Sequence, residues 1–446
     1  MFDDSFLRAV REELLKIDGD FREAFLKRSS GFVVSREKDL ETAENADDCG
    51  IGIRVRRGGD WSFWHLTSGE ADRLVSFVKD IAAGRKTERP GDVKICGGAE
   101  EGPVGCGEAG EMLARAAEGM KENGALSFIG ILKAGSDERA VVTGEGKILS
   151  EERRRTTYYA QSAMLEPGKA AKGAECAMET RALSGAELEK MIKSVSEESL
   201  RLCRVHLEAK VSPEGKMDVV LAGMAAGMLI HETVGHLFEA DNRQMAGAIR
   251  PPGETMAPPF FSLVERGPSA DIASFDDEGN SPSMRTLIES GRAAGLLADA
   301  RTSAELGIPV TGNGRRENHR FEPLPRAWKL DCPAGDGTDA DLCSDVTIGL
   351  YIKRLSDGKM DLVKMEAVFP VAEGYLIREG KISDPVTNAC INVAAPAFLK
   401  EIVAVGSEKK ETRGLCVKRS QAVWTGESIP SLKLSKVAVR RADKQS

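Results

Sequence analysis

Apolar positions recur along the first eighty residues in two rhythms, and each rhythm assigns an element. Over residues 5–17, Phe6, Leu7, Val10, Leu14 and Leu15 fall at helical spacing, which predicts an amphipathic opening helix. Gly50-Ile51-Gly52-Ile53-Arg54-Val55 alternates with a period of two and reads as a strand, with residues 61–66 as its hairpin partner. Residues 70–83 return to the helical rhythm, with Leu74, Val75, Phe77, Val78 and Ile81 as the apolar stripe. From 87 to 107 the pattern breaks up among glycines, Pro90 and Pro103, which predicts a linker.

A second unit runs from about 108 to 209. It opens with a helix, passes through strand-like pieces at 126–132, 139–142 and 156–164, and closes with a helix over 186–207. The turn signal Pro213-Glu214-Gly215-Lys216 opens a third unit, with a strand at 217–221, one marked helix around His231, and then Gly-, Pro- and Asp-rich loops between short strands. No repeat of fixed period is present. The expected fold class is α+β. It comprises an N-terminal α/β domain (1–100), a middle domain (101–210) and a strand-rich C-terminal domain (211–446).

At 446 residues the chain exceeds one ordinary core, and 41% apolar with 30% charged residues is a globular composition. The formal charge is −8 and only 5% of residues are aromatic, with no basic stripe, so nucleic-acid binding is not expected. Arg153-Arg154-Arg155 directly follows Glu151-Glu152 and reads as a solvated mixed run. The N-terminus is acidic where a signal peptide is basic. The longest apolar stretch, 219–230, holds two glycines and falls short of the ~20 residues of a membrane span. The expectation is a cytoplasmic protein without membrane contact. Nine cysteines, odd in number and without a Cys-x-x-Cys pair, read as reduced thiols.

Of five histidines, His65, His206, His231, His236 and His319, two stand five residues apart in His231-Glu232-Thr233-Val234-Gly235-His236. Imidazoles are good zinc ligands, and a carboxylate beside them can deprotonate a water whose pKa zinc lowers to about 7. On a regular helix a five-residue offset leaves two side chains about 140° apart. Both reach one ion only if the helix bulges or ends between them, and Gly235 is where that distortion costs least. A third ligand is needed. Glu239 and Asp241 are near in sequence, Cys203, Cys390 and Cys416 are farther, and spacing does not choose among them.

With this motif the chain resembles the TldD/PmbA peptidases, in the TldD-like branch that keeps the metal motif. The resemblance extends over nearly the whole chain: Gly50 to Val55, the motif with Phe238-Glu239-Ala240-Asp241 after it, Asp276-Asp277-Glu278-Gly279, Gly312-Asn313-Gly314-Arg315-Arg316-Glu317, Pro325-Arg326, Gly414-Leu415-Cys416 and Pro430-Ser431-Leu432-Lys433. It implies a zinc held by His231, His236 and Cys416 in the C-terminal metallopeptidase domain, with Glu232 as general base and unfolded peptides as substrate. It also implies a homodimer, or a heterodimer with a metal-free paralogue, enclosing a chamber. The alternatives are a non-catalytic scaffold subunit of such a dimer and a zinc hydrolase of a non-peptide bond.

The chain departs from the family pattern at Val417-Lys418-Arg419, where a glycine usually follows the cysteine, at 425–430, and at Leu237-Phe238. These changes bear on substrate preference rather than on the ligands. Arg315, Arg316 and His319 follow a Gly-Asn-Gly turn and are candidates to bind a peptide carbonyl or carboxylate, or else pair with nearby acids. Asp276-Asp277-Glu278 lacks the 12-residue calcium-loop pattern and reads as a solvated loop.

Overall fold

In the computed structural model, which describes residues 2–38, 40–85, 103–244, 251–268, 272–356, 358–361 and 364–442, the opening helix α1 (Asp4–Leu14) is capped by Asp3, whose carboxylate accepts the Phe6 amide at 2.8 Å. Its stripe of Phe6, Leu7, Val10 and Leu14 packs with Leu74, Phe77, Val78 and Ile81 of α2 (Ala71–Ala82) over one end of an antiparallel sheet. That sheet comprises β1 (Phe21–Glu37), β2 (Leu40–Asn45), β3 (Asp48–Arg57), β4 (Asp60–Thr67), β5 (Ser127–Thr143), β6 (Ile148–Glu166) and β7 (Lys169–Glu179). Their order is β4-β3-β1-β5-β6-β7, with β2 on β1. Its other end is covered by α3 (Cys106–Glu122) and by α4 (Gly185–Glu208), whose start is fixed by a capping box between Ser184 and Glu187.

β1 pairs with β5 from Glu23↔Thr143 to Glu37↔Ile129. The expected N-terminal and middle units therefore contribute strands to one sheet. Most of the expected linker at 87–107 lies outside the described residues. The pieces at 126–132 and 139–142 are one strand. Between them Gly31 and Gly135 stand opposite each other, and a Cβ on Gly135 would lie 2.5 Å from the Ser30 oxygen. The close approach removes the side-chain alternation by which a strand is recognised.

Among the described residues the second sheet has thirteen strands, all within residues 210–441. Its spine is a long hairpin, Ile402–Lys418 and Gln421–Arg441, turned by Arg419 and Ser420 at φ of 49° and 62°. Two left-handed residues match the twist of a two-residue hairpin turn. The last strand also pairs antiparallel with Gly215–Leu221, which runs parallel to Ile348–Leu355. From Gly215–Leu221 the chain passes straight into α5 (Gly223–Thr233), which lies against the last strand. A Cβ on Gly227 would sit 3.0 Å from Glu427 Cβ, and one on Gly223 2.6 Å from the Ile429 oxygen, so glycine sets how near the helix comes. No helix among the described residues is long and apolar enough to cross a membrane.

The two sheets meet over charge. Arg54 of β3 bonds Glu23 of β1 at 3.2 Å and also Glu278, Arg316 bonds Glu23, and Arg139 of β5 bonds Asp277. Asp276, Asp277 and Glu278, expected in a solvated loop, are 0%, 6% and 4% exposed. The arginines that meet Asp277 and Glu278 arrive from strands more than a hundred residues away, which a local reading of charge does not reveal. The arginine run is corrected in part for the same reason: the Arg153 side chain is only 12% exposed, beside Glu151, while Arg154 remains half exposed.

Candidate metal centre

α5 is apolar on almost every side, so its polar residues gather at its C-terminal end. The last α-helical bond there is Val234 N to Ile230 O at 2.9 Å. The chain then tightens into a 3₁₀ turn, Gly235–Phe238, with Leu237 N on Val234 O at 3.0 Å. The helix thus ends between the two histidines, at the glycine where the spacing required it. A Cβ on Gly235 would lie 2.8 Å from Leu330 Cδ1. The change of winding brings the imidazoles together, edge to face, with centroids 5.0 Å apart.

Cys416 reaches them from the end of the terminal hairpin. One ligand atom from each of His231, His236 and Cys416 lies within 4.8 Å of the others, and Cys416 Sγ is 3.4 Å from His236 Nε2. Tetrahedral bonds of zinc length to nitrogen and sulfur place such atoms roughly 3.3–3.6 Å apart. His231 Nε2 is buried with no hydrogen-bond partner, an unsatisfied group that a metal ion would complete. The donor set and its spacing fit a metal. The centre also requires backbone support for the cysteine, and Arg326 supplies it by donating to the Cys416 oxygen at 2.6 Å.

Carboxylates stand behind both imidazoles. His236 Nδ1 is 2.8 Å from Glu239 Oε2, and Glu239 also accepts from Lys418 Nζ at 2.7 Å. His231 Nδ1 lies 3.0 Å from Glu427 Oε1, though not lined up as a hydrogen bond. Such partners leave the opposite ring nitrogens to face an ion. Glu239 and Asp241, open as ligands in the sequence, thus serve differently: Glu239 backs His236, and Asp241 takes Lys418 at 2.6 Å. Glu427 and Lys418 carry no local signal of membership, because only the folded terminal hairpin brings them to His231 and Glu239, more than 170 positions earlier.

Burial opposes charge on His236, but Glu239 and the Cys416 sulfur outweigh it and raise the imidazole to about 9. Burial likewise pushes the Cys416 thiol up, and the two imidazoles overcome it, bringing the thiol down to about 5. Without an ion, these charges favour a thiolate between imidazoles that tend to be protonated, the charge pattern that a divalent cation replaces. Glu232 stands on the open side, its side chain 37% exposed and Oε2 3.9 Å from His236 Nε2.

The structure does not bring Arg315, Arg316 and His319 to this cluster. They are 3%, 3% and 0% exposed in the junction between the sheets. Arg315 stacks 3.7 Å from the Trp328 ring centroid and donates to Ala327 O at 2.6 Å. Arg316 is held by Glu23 and the Asp277 oxygen. His319 meets Thr67 Oγ1 at 2.9 Å, and burial pulls its imidazole down to about 3. Their surfaces are covered, and of the three only Arg316 hydrogen-bonds an acid side chain, while Arg316 Nε and His319 Nδ1 are buried without a hydrogen-bond partner.

Residues 214–441 match the family model described as the PmbA/TldA metallopeptidase C-terminal domain. A metalloprotease TldD homolog of Haemophilus influenzae is 34% identical over 254 residues, covering 55% of this chain and 52% of that protein. Against it the chain spans about half the relative's length. A metalloprotease of Methanothermobacter thermautotrophicus is 24% identical over 442 residues, 94% of each chain. The crystal structure of TldE from Thermococcus kodakarensis has a TM-score of 0.73 over 98% of this chain and 99% of that one, at 15% identity, a likeness of fold.

Proposed function

This chain belongs to the TldD/PmbA family of metallopeptidases, and we propose that it is a zinc-dependent peptidase hydrolysing unfolded peptides or small proteins. The observation that carries the reading is the meeting of His231, His236 and Cys416, with Glu232 on the open side. Two imidazoles and a thiolate suit zinc better than the harder divalent ions, and three protein ligands leave a fourth position. Zinc, when bound, supplies Lewis acidity and a water acidic enough to lose a proton near neutral pH. Glu239 and Glu427 orient the two rings. Glu232 takes the proton of the attacking water on its carboxylate and passes it to the departing amine.

The intact ligand set weighs against a metal-free scaffold. The dimeric chamber that the family resemblance implies is part of this proposal, and light scattering that finds only monomer at micromolar concentration would remove it. The test of the chemistry is Glu232→Gln. It should keep about one zinc per chain and lose about 10²–10⁴ in the rate of hydrolysis of unstructured peptides. Wild-type rates in the variant, or protein that takes up no zinc, would overturn the reading.

A further inference from the structure

α5 is buried on all positions except Met224, Met228 and Glu232. These stand four residues apart and form one stripe of the helix, drifting by about 40° per step. The open face of the helix therefore runs from two methionines to the proposed general base. Beside the methionines lies a cavity of about 520 Å³, within the range of small-ligand sites. Its walls are Met224 and Met228, Glu175 to Glu179 of β7, Glu411 to Gly414 of the terminal hairpin, and Glu427. Glu427 is the same residue that faces His231, and Gly414 lies two positions before Cys416. The cavity adjoins the centre.

Its chemistry is one-sided. The methionines offer flexible apolar walls that mould to an unbranched chain. Four carboxylates join them, against one cation, Arg413, which donates to Thr180 Oγ1 at 3.2 Å and lies 3.5 Å from Glu411. Three of the four carboxylates are already engaged: Glu175 by Arg354, Glu411 by Lys329 at 2.7 Å, and Glu427 by Thr412 at 2.9 Å and by His231. Glu179 forms no ion pair among the described residues. Arg181 lies within its electrostatic reach but is hydrogen-bonded to Glu187 at 2.8 Å. One half-buried carboxylate is thus left over beside an apolar wall.

We propose that this cavity is a specificity pocket for a substrate residue with a long unbranched stem and a cationic end, lysine or arginine. Met224 and Met228 cover the stem and Glu179 meets the charge. The proposal gives a substrate class to the peptidase reading and rests on it, but its test does not depend on turnover. Zinc-loaded Glu232→Gln protein is titrated with fluorescent eight-residue peptides of Ala, Gly and Ser carrying one Lys, one Arg, one norleucine or one Glu. Norleucine keeps the stem and removes the charge.

Lys and Arg peptides should bind about tenfold more tightly than the norleucine peptide, the effect of one charge-assisted hydrogen bond. The Glu peptide should bind weakest. Adding Glu179→Gln should bring the Lys-to-norleucine ratio near unity, and Glu179→Lys should favour the Glu peptide. Equal binding of Lys and norleucine, a ratio unmoved by Glu179→Gln, or no binding of any peptide would overturn the pocket. Cleavage by the wild-type chain is scored separately. Zinc-dependent hydrolysis without the binding preference sinks the pocket alone, whereas the preference without hydrolysis sinks the peptidase reading and leaves the pocket standing.

Discussion

Glu239 sits between His236 Nδ1 and Lys418 Nζ, nearly fully buried, and the two cations outweigh burial to hold its carboxyl well below the usual carboxylate range. A carboxylate in that position fixes the ring and raises its basicity as a ligand. Glu239→Gln should therefore lower zinc affinity about 10–100-fold, read by competition with a chelating dye, and an unchanged affinity would remove Glu239 from the centre. A second expectation follows from the charges of the empty site. With Cys416 near 5 and His236 near 9, the thiolate is formed across the neutral range while His236 still carries a proton. Zinc must displace that proton, and His231 is also raised well above its ordinary value. Apparent affinity should rise by about tenfold per pH unit for each proton released, the part due to His236 levelling off above about pH 9. Calorimetry in two buffers of different ionisation enthalpy should find one to two protons released near pH 7. None released would mean that the empty site holds neutral imidazoles. At this scale the pair of histidines and Glu232 stood out in the sequence because their types and spacing are local. Glu427 did not, since only the packing of α5 on the last strand brings it to a histidine 196 positions earlier.

The elements at the centre are set by glycines as much as by apolar spacing. A regular helix through His236 would separate the two imidazoles, and the requirement for a break near Gly235 was legible from the five-residue offset alone. What the sequence does not disclose is what a side chain there would meet: Leu330, fully buried, approaches from a short strand almost a hundred residues later. Gly235→Ala should push His236 away from Cys416. It should weaken zinc binding and cost about 1–3 kcal/mol of stability as overpacking, measured by denaturant unfolding of the zinc-free protein. Full zinc affinity in this variant would show that the 3₁₀ turn absorbs the added methyl without moving the ring. The long strands were less legible than the helices for a related reason. β5 reads as two pieces because the glycine contact with β1 interrupts its alternation. Local rhythm fails where one backbone packs directly on another.

Across the whole molecule, the charged segments that resemble functional loops are what join the two sheets. Glu23 bonds both Arg54 from its own sheet and Arg316 from the C-terminal domain, and all three side chains are at most 1% exposed. Arg316 also places its guanidinium 4.7 Å from the Phe25 ring centroid and donates its own amide to Asp277 Oδ2, 2.8 Å away. Desolvating such a group is expensive, and only the fixed arrangement of opposite charges offsets it. The sequence displayed the acids and arginines but not their pairing, because each partner lies on a different strand and the pairing exists only once both sheets are formed. A peptide-binding arginine and a junction arginine make different demands. The first would change KM when removed and leave the fold intact. The second would leave an uncompensated carboxylate inside the protein. Arg316→Met, which keeps most of the volume, should therefore cost about 3–5 kcal/mol in unfolding free energy, while the fraction still folded at low temperature binds zinc as before. A raised KM with unchanged stability would restore Arg316 to the substrate site and leave this charged junction to Arg54 and Arg139.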